Sequence, residues 1–368
     1  MRIRYIAREE VSRFGTGVFT VPDERGVQLV RAGRARAEID PARPAVSKIP
    51  NKEKAVKVDG KKFITPGRPL VGWIHDTEKL GGAELSNQTV LGVGKKLGVG
   101  IYECFPRTFD KSLLAKCDFL IINNFFFFED AQYHFILDLL FEHGMPFVKY
   151  EHDHREIIGD QARHGLARLL FGRSFLNVFI SPFQLNNHRK HLGDVIDACW
   201  VLPPAIDTSI FKLLPEVPRE KNKVVNLCGK LYESKGFRHM LHFCLAKEKE
   251  YSFEIYTKNE QEVRPVFKEV KNVKVHSLLP NKSLPEIYNS AEYTIHIPQA
   301  LEACGRSIAE GILCGCKPLI NKNVGIGSFD EYHIGNEKRF KLDRFREAVK
   351  NGPWRFWKEV ELHFRKLK

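Results

Sequence analysis

From residue 70 onward the sequence alternates between short runs rich in β-branched and aromatic residues and longer stretches of helical periodicity. That order belongs to parallel sheets covered on both faces, because parallel neighbours need a long crossover and the crossover is usually a helix. In the first half the predicted strands are 70–75, 99–104, 118–123, 147–150 and 177–181, with helices over 83–97, 131–143, 160–171 and 182–191. The second half repeats the scheme, with strands at 224–228, 253–257, 273–276, 293–297 and 317–321 and helices over 237–247, 284–290 and 306–313. An α/β chain of two Rossmann-like lobes follows, their parallel sheets facing a cleft. In such sheets ligands bind beyond the carboxyl ends of the strands, so the loops after strands are where chemistry is sought.

The remainder of the chain frames these lobes. Residues 1–45 read as a small basic N-terminal unit, with a β-like stretch at 17–21, a Pro-Asp turn and a helix over 24–32; it resembles short segments common in phage-encoded proteins. Residues 46–65 are rich in Pro, Lys and Val without a period, which predicts a linker. The predicted domains are then an N-terminal lobe at 66–203 and a C-terminal lobe at 204–335. Residues 336–368 are expected to form basic, aromatic helices that pack back on the first lobe.

A length of 368 residues suits two lobes and an appendage. The longest apolar run, 119–128, is broken by Asn123 and Asn124 and falls short of the roughly 20 residues that span a bilayer. Charges run through the first fifteen residues, where a signal peptide would have an apolar core. The expected location is cytoplasmic, peripheral at a membrane at most, or in a host cytoplasm if the chain is phage-encoded. The eight cysteines lie mostly in apolar runs and read as reduced, structural thiols. Cys314-Gly-Cys316 is too close for a zinc knuckle and has no second pair, so no metal site is expected.

The net charge of +13 is unevenly placed. Residues 1–62 hold 15 Lys/Arg against 8 Asp/Glu and residues 338–368 hold 11 against 4, leaving 32 against 33 for the body. Two basic ends on a neutral body suggest contact with a polyanion, either DNA or an anionic membrane; solvated basic tails have the same composition. In Lys338-Arg-Phe-Lys…Trp354-Arg-Phe-Trp-Lys358 aromatics and cations mix, which suits phosphate contact and base stacking. A terminal helix packed on the first lobe explains the same pattern.

Three loops could carry chemistry. His75-Asp-Thr-Glu-Lys-Leu-Gly81-Gly82-Ala-Glu opens a helix with a glycine pair that lets backbone approach an anion, although an ordinary helix entry looks the same. Gly229-Lys230-Leu-Tyr-Glu-Ser-Lys235-Gly236 follows a strand directly, and two ammonium groups there could neutralise a diphosphate. Glu302-Ala-Cys-Gly305-Arg306-Ser-Ile-Ala-Glu310 follows another strand and opens a helix; its N-terminus could cap a phosphate while the two carboxylates accept hydrogen bonds from vicinal hydroxyls. Surface acids eight apart are also common.

Taken in order, these pieces resemble the GT-B retaining glycosyltransferases of family four, glycosyl transferases group 1, over most of residues 70–335. The resemblance rests on Gly-Gly-Ala-Glu at 81–84, Pro-Pro-Ala-Ile-Asp-x-x-x-Phe at 203–211, the Gly-Lys-Leu…Lys-Gly loop, and the E-x7-E pair Glu302/Glu310. Val273-Lys-Val-His…Leu284-Pro-Glu-Ile-Tyr288 matches the stretch before that pair.

The resemblance implies a hexosyltransferase that takes a UDP- or GDP-sugar, UDP-glucose among them, as donor and requires no metal or other cofactor. It implies an acceptor lobe at 66–203 and a nucleotide-sugar lobe at 204–335, with Glu302 on the donor sugar, Glu310 on the ribose, Lys230 and Lys235 on the diphosphate, and Gly81 and Gly82 near the phosphates and the acceptor. His152, in Tyr150-Glu-His152-Asp-His154, is the nearest match to the family's histidine beside the reacting sugar; hydrogen-bonded loop histidines are the other reading of that run. Lys230 stands where Arg is usual, and Cys304 and Arg306 replace aromatic and apolar residues, so Arg306 is expected to shape the donor pocket. Glu302, Lys235 and His152 are the expected catalytic residues.

The acceptor hydroxyl is expected either in a surface glycan or lipid-linked saccharide, or on a hydroxymethylated pyrimidine of DNA, which an enzyme would have to flip out of the stack. The alternative from another class is a non-catalytic module that binds nucleotide sugar or DNA.

Overall fold

The computed structural model describes residues 69–76, 81–123, 127–158, 161–334, 336 and 339–367. The expected N-terminal unit, the linker and the first residues of the body lie outside the described residues. So do positions 77–80 of the first loop, the predicted helix start at Asp160, and Lys338.

The chain forms two compact units. Among described residues, the N-terminal unit comprises 69–180, 185–202 and 353–367, and the C-terminal unit comprises 181–184 and 203–352. Each is built on a fully parallel sheet, and together they form the two Rossmann-like halves of a GT-B fold.

In the N-terminal unit the order is β1 (Leu70–Ile74), α1 (Gly82–Lys96), β2 (Gly100–Cys104), α2 (Lys111–Leu114), β3 (Phe119–Ile122), α3 (Asp130–Phe141), β4 (Phe147–Tyr150), α4 (Gln161–Arg173), β5 (Leu176–Phe179), α5 (Pro182–Leu192) and β6 (Cys199–Val201). The six strands lie side by side as β2-β1-β3-β4-β5-β6. Every residue of β3, β4 and β5 is buried, as expected of central parallel strands with both faces covered. One core joins Ile74, Leu120 and Ile122 to Ile136, Leu139 and Leu140 of α3. Each such side chain contributes roughly 1.5–3 kcal/mol on burial.

The C-terminal unit runs β7 (Glu220–Cys228), α6 (Phe237–Ala246), β8 (Ser252–Thr257), α7 (Glu260–Phe267), β9 (Val273–Ser277), α8 (Leu284–Ser290), β10 (Ala291–His296), α9 (Arg306–Leu313) and β11 (Lys317–Ile320). Its five strands are ordered β11-β10-β7-β8-β9. Val224, Phe253, Ile255 and Ile295 meet Phe237, Met240 and Leu241 of α6 in its core.

A final helix, α10 (Leu342–Arg365), has its residues 342–352 in the C-terminal unit and 353–365 in the N-terminal unit. Pro353 lies inside it. In the N-terminal unit Phe356 and Trp357 are core residues: Phe356 packs on Trp73 and Tyr150, and the Trp357 indole donates to the Val90 carbonyl at 2.8 Å. The aromatics considered above for base stacking thus divide, with Phe356 and Trp357 in the core and Trp354 on the surface.

The eight cysteines are free and all but Cys199 are buried. No helix among the described residues is long and apolar enough to cross a membrane.

Candidate functional site at the switch point of the second sheet

The strand order locates the site. In the C-terminal sheet β7 leads outward to β8 and β9 on one side, while β10, its other neighbour, leads to β11 on the other. Where successive crossovers part in this way, the loops leaving the two strands diverge and open a crevice at their carboxyl ends. The loop after β7 carries Lys230 and Lys235, and the loop after β10 carries Glu302 and Gly305.

Backbone bonds stitch the two loops together. The Ser234 carbonyl accepts from both Gln299 and Ala300 N–H groups, at 3.1 and 3.0 Å. Gly236 caps α6 at φ 88°, and a Cβ there would sit 2.2 Å from the Ile297 carbonyl oxygen, so only glycine permits this approach. Glu302 is fixed in turn by its N–H to the Asn323 carbonyl and its own carbonyl to Gly325 N–H, at 2.8 and 2.9 Å.

The stitching brings Lys235 Nζ to 2.5 Å from Glu302 Oε2. His296, the last residue of β10, places Nε2 3.4 Å from the same oxygen. Burial opposes ionisation of Glu302, but the His296 hydrogen bond and the Lys235 charge outweigh it and hold the carboxyl well below its ordinary range. Oε1 of Glu302 takes no hydrogen bond from the described residues.

Gly305 follows in the left-handed region at φ 88° and caps α9 without offering a side chain to its first N–H groups. An uncapped helix start of this kind favours an anion. One turn in, buried Glu310 receives Arg306 Nε at 2.7 Å, and Arg306 Nη1 donates to the Ala205 carbonyl at 2.8 Å. The Tyr288 hydroxyl lies 3.5 Å from the other Glu310 oxygen. Burial raises the Glu310 carboxyl, and Arg306 opposes that rise.

Lys230 is exposed, with Nζ 5.6 Å from the Tyr232 ring centroid. The structure therefore groups Lys235, Glu302, Gly305, Arg306 and Glu310 at one end of one sheet, with Lys230 on the same loop as Lys235. Gly81, Gly82 and His152 belong to the N-terminal unit.

There, Gly81 is the cap of α1, and its N–H donates to Glu84 Oε2 at 2.9 Å. His152 follows β4 and joins Asn87 of α1 through Nε2 at 2.9 Å, so the glycine-opened helix and the histidine form one local arrangement. Joined to it through the His152 N–H is a buried triad. Lys149 Nζ is 2.9 Å from both Glu151 Oε2 and Glu156 Oε1, and Glu151 Oε1 accepts the N–H groups of His152 and Asp153 at 2.9 and 3.0 Å. Burial pushes Glu156 up to about 8, whereas Lys149 overcomes burial at Glu151 and draws it down.

Sequence reasoning missed His296 and the triad. A histidine ending an apolar strand reads as core, and Lys149 and Glu151 sit where the burial pattern leaves no hint of ionic partners. Among the described residues no group of three or more His, Cys, Asp or Glu is arranged to hold a metal.

No protein-family model matches the chain, and no curated protein matches it. Solved structures do resemble it. The Anabaena protein HepE in complex with UDP and glucose matches with a TM-score of 0.55 at 14% identity, over 77% of this chain and 99% of that one. Sucrose-phosphate synthase from Thermosynechococcus elongatus matches with a TM-score of 0.57 at 12% identity, over 82% and 97%. An alpha-glucosyltransferase in complex with UDP and a 13-mer DNA containing an HMU base matches with a TM-score of 0.51 at 14% identity, over 81% and 100%. At these identities the shared property is the GT-B fold.

Proposed function

We propose that the chain is a retaining glycosyltransferase of the family-four type that moves a sugar from a nucleotide-sugar donor to an acceptor hydroxyl. The observation that carries this reading is the convergence of Lys235 and Glu302 from separate strands at the switch point, beside the uncapped start of α9. A cation, an acceptor carboxylate and a helix N-terminus are what a nucleoside diphosphate and its sugar present partners for.

In this reading Glu302 holds donor-sugar hydroxyls and Glu310 the ribose, while Lys235, Lys230 and the α9 N–H groups take the diphosphate. Arg306 shapes the pocket from its place on Glu310. The bond between the anomeric carbon and the phosphate oxygen breaks toward these cations. The acceptor oxygen bonds the same face of that carbon, and its proton passes to the departing phosphate. Gly81 and Gly82 serve the phosphates and the acceptor, and His152 the reacting sugar. The scheme calls for no metal.

For the acceptor, hydroxymethylated DNA is the reading to test first. The basic charge lies in the two ends of the sequence, and a protein of similar fold was solved with UDP and DNA containing an HMU base. The test is a donor-consumption assay with UDP-, GDP- and ADP-sugars, run with and without hydroxymethylpyrimidine DNA. Turnover that rises only with modified DNA supports the DNA reading, and turnover indifferent to DNA directs the search to glycan and lipid-linked acceptors. Nucleotide-sugar binding without turnover would favour the non-catalytic module instead.

A further inference from the structure

We infer that His296 is a positioning residue: it fixes Glu302 by one carboxylate oxygen, so that the other faces the donor sugar, and keeps that hold when Lys235 turns to the diphosphate. The inference rests on the nucleotide-sugar reading of the switch point.

Two donors address Oε2 of Glu302, and they differ in kind. Lys235 is a long side chain 45% exposed to solvent, whereas the His296 side chain is 6% exposed and rides on β10, between β7 and β11. When a diphosphate draws the ammonium away, Glu302 loses its closest partner and keeps the imidazole. At 3.4 Å that contact is long, leaving room to shorten as the carboxylate recentres on it.

The protonation pattern is set by repulsion. A lone pair on Nε2 would face a carboxylate oxygen, so Nε2 carries a proton. The opposite ring nitrogen, Nδ1, is buried with no hydrogen-bond partner among the described residues. A methionine or leucine at the end of this strand would leave no such unmatched nitrogen, so packing alone gives no reason for an imidazole here. The Nε2 contact with Glu302 gives one.

Two variants separate positioning from packing. His296→Met fills the space without a donor, and His296→Gln supplies an amide N–H near the place of Nε2. With the nucleotide sugar that the wild type consumes, His296→Met is expected to lower kcat about 10- to 100-fold, the effect of a misplaced reacting group. Its affinity for the bare nucleoside diphosphate, which does not engage Glu302, should be unchanged, and His296→Gln should restore most of the loss. Wild-type turnover in His296→Met overturns the inference, as does an equal loss in both variants. If His296→Met does not fold, an active His296→Gln supports the inference and an inactive one overturns it.

The pairing also has a readout that needs no substrate. In imidazole nitrogen NMR of the free protein, His296 Nε2 should be protonated and should shift on Glu302→Gln. An unprotonated Nε2 overturns the inference whatever the enzyme acts on, while a protonated one beside a wild type that consumes no nucleotide sugar sinks only the functional reading.

Discussion

Lys235 Nζ lies 2.5 Å from Glu302 Oε2, tying the loop after β7 to the loop after β10 at the point where the strand order of the second sheet reverses. The pair is partly exposed, so its worth to folding is small, about 0–1 kcal/mol. In the proposed reading its value lies in placing a cation beside a carboxylate where a sugar and its diphosphate would meet.

Lys235→Ala should therefore leave the melting temperature nearly unchanged and lower donor turnover by about 10²- to 10³-fold, the effect of losing one charge-stabilising donor. Steady-state kinetics and a thermal melt on the same preparation check both halves. A large drop in stability with retained turnover would assign the pair to folding.

Glu310 holds Arg306 at 2.7 Å and is buried, so its substitution has to be gentle. Glu310→Gln keeps the shape and one acceptor oxygen. If Glu310 binds the ribose equally in ground and transition state, this variant raises KM for the donor and leaves kcat alone. A fall in kcat at unchanged KM would place Glu310 in the chemical step.

Gly236→Ala puts a methyl group 2.2 Å from the Ile297 carbonyl oxygen at a backbone φ of 88°. The loops must separate to admit it. The expected result is destabilisation of about 1–3 kcal/mol, read from denaturant midpoints, with loss of donor turnover from the same displacement. Unchanged stability would mean that the two loops are not held as described.

The Lys149–Glu151–Glu156 triad makes stability depend on pH in two windows. Glu156, raised by burial to about 8, favours the folded state while protonated; that contribution is complete below its unfolded pKa near 4.3 and is lost as pH rises through 8. Glu151, lowered by Lys149, contributes above the ordinary carboxylate range and is lost in strong acid. Glu156→Gln should abolish the alkaline loss at little cost near neutrality. Glu151→Gln leaves Lys149 with Glu156 at 2.9 Å and removes the charge that helps keep Glu156 protonated, so Glu156 should ionise in its place and the cost should stay below the roughly 3–5 kcal/mol of an unpaired buried charge. Melting temperature against pH for the three proteins is the check.

Much of this architecture was legible because its signals are local and repeated. The all-apolar run of β3 and the glycines opening α1 and α9 mark a parallel sheet and its helix starts without reference to anything distant. The short edge strand β6, with three residues, gives no period to detect, and Pro265 inside α7 breaks the pattern that would have revealed that helix. Gly352-Pro353 likewise conceals that α10 is continuous. At the site, Lys235, Glu302 and Glu310 stood out through spacing, but His296 and the buried triad depend on pairings between side chains that only the fold brings within reach.

The central claim is that the switch point of the second sheet binds a nucleoside diphosphate, and the most direct measurement is calorimetric titration of the wild type and Lys235→Ala with UDP, GDP and ADP. The account expects one of these nucleotides to bind the wild type at a single site and to bind Lys235→Ala more weakly by about tenfold, the differential of a lost charge-assisted contact. Binding of none of them, or binding that Lys235→Ala leaves unchanged, would contradict it.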